Sequence, residues 1–156
     1  MKKVITMIIC VAIPVCVGLV SGFLTKNNMV VFDRINKPPL TPPSMVFPIA
    51  WAILYVMMGV ASYFAITNCA DGSQKLTMLV PYAAQLILNF AWSLIFFNAE
   101  AYGVAFVCLV FMQILIIRTA IYYLSVSKLA FFMMLPYIVW VTFAGYLNLG
   151  IVVLNR

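Results

Sequence analysis

The stretch VITMIICVAIPVCVGLVSGFL, residues 4 to 24, carries no charged side chain. At 1.5 Å per residue a helix of that length reaches about 32 Å, enough to cross the hydrocarbon core of a bilayer. Lys2 and Lys3 ahead of it give it the look of a signal peptide. The run is long for an h-region, however, and no A-x-A-like cleavage site follows, so it reads as a span. Four more apolar runs without acidic residues follow, at 46–66, 76–97, about 103–124 and about 129–154. Backbone amides in lipid must be satisfied within the segment, so all five are expected to be helices, with Pro14, Pro48, Pro81 and Pro136 near ends or as kinks.

Composition agrees with this reading. The chain is 67% hydrophobic, far above the roughly 45–50% of soluble domains. The expected fold class is an all-α integral membrane protein, a bundle of five transmembrane helices forming a single transmembrane domain over residues 1–156. With no histidine and only Asp33, Asp71 and Glu100 as acids, the chain lacks an imidazole base and an adjacent carboxylate pair for hydrolytic chemistry. Nor is there a cluster suited to zinc or calcium, so no metal and no required cofactor are expected. Cys10, Cys16, Cys69 and Cys108 form no CxxC and indicate nothing about redox compartment.

The net charge of +6 comes from nine Lys and Arg, set at helix edges with no long basic run. That pattern suits topology and contact with lipid headgroups, and no nucleic-acid partner is expected. Five spans place Lys2, Lys3, Lys75, Arg118 and Lys128 on one side and Lys26, Arg34, Lys37 and Arg156 on the other. Five against four leaves the orientation open. Arg118, near a helix end, reads as a snorkelling side chain.

The one long connection is 25–43, TKNNMVVFDRINKPPLTPP. Met29, Phe32 and Ile35 recur every three residues, which predicts a short amphipathic piece lying over the bundle mouth. The proline pairs at 38, 39 and 42, 43 favour stiff, extended backbone into the second span. Intramembrane polar groups cost free energy in lipid and are therefore candidates for function or for interhelical hydrogen bonds. Gln85, Asn89, Trp92 and Ser93 share one helical face, as do Trp51, Tyr55 and Ser62, and Trp140, Ala144 and Asn148. Three indoles beside small or polar side chains suit a cavity that stacks a flat aromatic ligand. Gly18 and Gly22 form GxxxG, a site for close backbone approach within the bundle or between protomers.

The segments KPPLTPPSMVFPIAW (37–51), ILYVMMGVASY (53–63), NFAWSLIFF (89–97) and LPYIVWVTFAGYLNLGIVVLN (135–155) resemble the TspO/MBR family. These are the tryptophan-rich sensory proteins and the translocator or peripheral benzodiazepine receptor proteins. The resemblance implies a five-helix protein of the bacterial cytoplasmic membrane, often a homodimer. It binds porphyrins such as protoporphyrin IX, and synthetic isoquinoline or benzodiazepine ligands, in a cavity under the first loop. Carried onto this chain, it implies ligand contacts at Phe47, Pro48, Trp51, Tyr55, Asn89, Phe90, Trp140, Phe143, Ala144 and Leu147. Lys26, Arg34 and Lys37 are the cations at the loop rim, where propionates would meet water. Met45 stands where many members have Trp, which thins the aromatic lining. Sterol binding is associated with animal members, but no Leu/Val–Tyr–Lys/Arg pattern occurs here. Three functions compete: a porphyrin-binding receptor or sensor, an enzyme degrading protoporphyrin IX with light and oxygen through Trp51 and Trp140, and a tetrapyrrole transporter. The absence of buried acids weakens the last.

Overall fold

The computed structural model of the chain describes residues 2–28 and 30–155. Six helices appear in order: α1 (Lys2–Thr25), α2 (Val30–Arg34), α3 (Val46–Asn68), α4 (Gly72–Phe97), α5 (Tyr102–Leu124) and α6 (Lys128–Leu154). There is no strand among the described residues. The five long helices are each apolar and long enough to cross a membrane, which matches the expected class. Polar side chains cap the starts of two of them. Asp71 accepts from the Ser73 and Gln74 amides at the start of α4, and Ser127 accepts from the Ala130 amide at the start of α6. Such caps satisfy backbone donors left without partners in a first helical turn. Pro48 lies in the first turn of α3, where no amide is needed. Pro14, Pro81 and Pro136 lie inside helices.

Contacts run α1 to α3, α3 to α6, α6 to α5, α5 to α4 and α4 back to α1, so the long helices close into a ring. The half of the ring nearer the amino terminus is filled. Met58, Ala61, Ala65, Met78, Met112, Ile116, Tyr123, Met134, Tyr137 and Val141 are all but fully buried there. α1 and α3 cross tightly in this half, where a Cβ on Gly59 would stand 2.5 Å from the Val11 Cα.

Within the bundle, Gly18 and Gly22 do not make the close backbone approach that GxxxG suggested. At Gly18 the space is taken by the ring of Tyr55, a side chain and not a backbone, and around a Gly22 Cβ there is nothing within 4 Å. The close backbone approach belongs to Gly59. In the 25–43 connection, α2 supplies the expected short helix. Phe32 is buried beneath it and Ile35 half-buried, while Met29 lies outside the described residues, as does Arg156. The proline-rich stretch is not uniformly extended: it turns at Pro39–Leu40, and Leu40 takes a left-handed φ of 66°.

Candidate functional site

In the other half of the ring the helices diverge and leave two neighbouring cavities under and beside the long connection. A lid lobe of about 320 Å³ lies beneath α2 and Ser44–Met45, among α3, α4 and α6. An outer lobe of about 490 Å³ lies among α1, α3 and α4. Phe47, Pro48, Trp51, Trp92 and Phe97 wall both lobes. Trp51 is the hub of this wall. Its ring stacks on Tyr55 at 5.6 Å and lies 6.4 Å from Trp92 and 6.1 Å from Tyr137.

The lobes rest on a hydrogen-bonded floor. Tyr55 Oη donates to Asn89 Oδ1 at 2.6 Å, Asn89 Nδ2 to Tyr137 Oη at 3.2 Å, and Tyr137 Oη to Gln85 Oε1 at 2.7 Å. These bonds tie α3, α4 and α6 together, because each group would otherwise be an unpaired polar atom in an apolar interior. Trp92 is fixed in the same way: its Nε1 donates to Asn148 Oδ1 at 3.1 Å, and Asn148 Nδ2 donates to the Tyr102 carbonyl at 2.9 Å.

Of the sequence-derived ligand contacts, Phe47, Pro48 and Trp51 line both lobes, Tyr55 lines the outer lobe, and Ala144 and Leu147 line the lid lobe. Asn89, Phe90, Trp140 and Phe143 line neither. Asn89 is spent on the floor. Trp140 stands behind Phe47, its ring 6.0 Å from that of Phe47 and 5.9 Å from that of Phe143. Its Nε1 is buried without a partner.

The three rim cations also line neither lobe. Lys37 pairs with Asp33 at 3.8 Å and sits over the Phe32 ring, Lys26 sits over Phe23, and Arg34 is exposed. Asp33 itself borders the lid lobe. Residues absent from the sequence-derived set are Trp92, Phe96, Phe97 and Asn148, together with Gly18, Ser21 and Gly22 of α1. Trp92 and Asn148 lie on the inward polar stripes of α4 and α6, and that periodicity was the available signal. Nothing local in the sequence shows that α1 leans away from α3 above Gly18.

The lid is strapped to α6. The Asn36 amide donates to Asn155 Oδ1 and Asn155 Nδ2 donates to the Asn36 carbonyl, both at 2.9 Å. Tyr146 Oη donates to the Pro39 carbonyl. Pro38 packs so closely on Gly150 that a Cβ there would meet it at 2.6 Å. On the opposite side, Asn28 donates to Asn98, and Asn98 donates to the Leu24 carbonyl at the end of α1.

Five bilayer-length helices ringed around an aromatic cavity under a strapped loop make this a helical integral membrane protein with an internal aromatic cavity. Residues 10–154 match the TspO/MBR family, and the chain belongs to it. It is 34% identical over 155 residues to the tryptophan-rich protein TspO of Chlorobaculum tepidum, covering 99% of this chain and 98% of that one. It is 31% identical to the protein of the same name from Archaeoglobus fulgidus, covering 98% and 99%. To the translocator protein of Sus scrofa it is 35% identical over 133 residues, 81% of this chain and 79% of that one.

Proposed function

We propose that the protein is a membrane receptor or sensor that binds porphyrins such as protoporphyrin IX, and flat synthetic ligands of the isoquinoline and benzodiazepine type. One observation carries this reading: two apolar lobes meet along a wall that contains Trp51 and Trp92. A flat π-system gains dispersion and offset stacking against such indoles, and the lobes fall within the 300–1,000 Å³ typical of small-molecule sites. A macrocycle entering past Trp51 would draw on both lobes. Its propionates would stay at the lid rim, because an unpaired carboxylate in the apolar interior is very costly. There they would compete with Asp33 for Lys37. The reading includes residence in a bacterial cytoplasmic membrane as a homodimer.

The second reading, light- and oxygen-dependent breakdown of protoporphyrin IX, is favoured by the cluster of oxidisable rings at Trp51, Tyr55 and Trp92. Protoporphyrin IX added to purified protein, followed by absorbance and product analysis in light and in darkness, tests both. Binding without new products supports the receptor, and products that form only in light support the enzyme. An aromatic pair contributes about 0.5–1.5 kcal/mol beyond area burial, so Trp51→Phe should weaken binding several-fold. Trp140→Phe, behind the wall, should weaken it less. Equal, unweakened binding in both variants would remove the cavity as the porphyrin site.

A further inference from the structure

The outer lobe opens sideways. Its rim is formed by Leu19, Gly22 and Phe23 of α1 and by Ala52 and Val56 of α3, all exposed on helices of bilayer length. Toward the amino-terminal end of α1 the cleft closes, first where Tyr55 fills the space beside Gly18 and then where Gly59 meets the Val11 backbone. It is a wedge, shut at mid-membrane and open toward the lid side.

Among the described residues its hydroxyls and the Trp92 indole N–H are engaged, and the Trp51 indole N–H is the one polar side-chain group of the lining without a hydrogen-bond partner. A single donor is too few to hold a water. Ser21 Oγ donates to the Gly18 carbonyl, Thr25 Oγ1 to that of Ser21 and Ser93 Oγ to that of Asn89. Tyr55 and Trp92 donate to Asn89 and Asn148. Such walls leave no good site for water and recognise an apolar body. At the open end a charge is present. Lys26 directly follows α1 and holds its Nζ 4.1 Å from the centroid of the Phe23 ring, a ring that lines the lobe. A cation at the headgroup level above an apolar cleft that faces hydrocarbon matches a phosphate joined to an acyl chain.

We propose that the outer lobe is a lipid site, which takes one acyl chain of an anionic phospholipid whose phosphate pairs with Lys26. A macrocycle that drew on this lobe would have to displace the chain, since Trp51 and Trp92 wall both lobes, but the test of the lipid site needs no porphyrin. The test is reconstitution of the Trp140→Phe protein, in which only Trp51 and Trp92 emit, into vesicles whose phospholipid chains are brominated at mid-chain. With phosphatidylglycerol the two indoles should be strongly quenched, and with phosphatidylcholine of the same chains less so. One cation near the surface accounts for about a fivefold preference, which Lys26→Ala should abolish. Gly22→Phe, whose side chain enters open space in the cleft, should relieve most of the quenching. Ala52→Leu, from the facing wall, provides the same check should Gly22→Phe fold poorly. Quenching that is equal for both headgroups, or that persists unchanged when the cleft is filled from either wall, overturns the proposal. So does the absence of quenching, as when a side chain of a second copy occupies the cleft.

Discussion

At the scale of single residues, the cavity is shaped by where small side chains stand next to indoles. Ala144 is 8% exposed and borders the lid lobe one turn beyond Trp140. Threonine adds a branch and a hydroxyl at that wall. The hydroxyl has a local outlet, because a threonine in a helix can donate to the carbonyl four residues earlier, as Thr119 and Thr142 do here. The added bulk has no such outlet in a rigid ligand's path. Ala144→Thr is therefore expected to lower the affinity for a rigid synthetic ligand more than it lowers thermal stability. Ligand titration and melting of the same detergent preparation check this. Equal losses would mean that Ala144 serves packing alone. Trp92 shows the limit of reading such sites from sequence. Its place on the face shared with Asn89 was legible from the helical period, but its anchoring by Asn148 joins residues 56 apart, which no local pattern encodes.

At the scale of elements, the five spans were legible because the bilayer demands runs of apolar residues with no alternative way to satisfy the backbone. What the pattern leaves out is how helices cross. Gly59 reads as an ordinary small residue inside an apolar run, yet α1 and α3 can meet only because it lacks a Cβ. Gly59→Ala places a methyl against the Val11 backbone, which cannot rotate away, and should cost about 1–3 kcal/mol. Reduced thermal stability in detergent checks this, and Gly22→Ala, in open space, is the neutral control. The start of α4 makes a different kind of prediction. The Ser73 hydroxyl and amide and the Gln74 amide hydrogen-bond the Asp71 carboxylate and hold its pKa below the ordinary value. A group lowered in the folded state binds fewer protons there than in the unfolded chain. Its stabilisation is therefore complete above the unfolded pKa of about 3.9 and fades as pH falls through the folded value. Melting curves taken from about pH 6 down to about pH 3 should show a loss of stability that is smaller in Asp71→Asn, which keeps a capping oxygen but does not titrate.

At the scale of the whole molecule, a packed amino-side half supports a hollow lid-side half, and the lid is held mainly by groups far away in sequence. The proline-rich motif announced a stiff connection. Its docking on Gly150, Tyr146 and Asn155 of α6 appears only in three dimensions, since the partners lie more than a hundred residues apart. Asn155 is the strongest single tie, because one side-chain amide both accepts from and donates to the Asn36 backbone. Asn155→Ala removes both bonds without touching either lobe. Two hydrogen bonds at about 1 kcal/mol each correspond to roughly thirtyfold faster amide exchange in the segment they hold. The Asn36, Lys37, Leu40 and Thr41 amides should therefore exchange faster, while those of α5 keep parental protection. A looser roof also changes rates more than affinity, since it opens the lid lobe equally to arrival and departure. Protoporphyrin association and dissociation should both quicken in Asn155→Ala, with their ratio near the parental value. Faster lid exchange at unchanged ligand rates would show that ligand reaches the lobe by another path, for which the sideways opening between α1 and α3 is a candidate once its acyl chain is displaced.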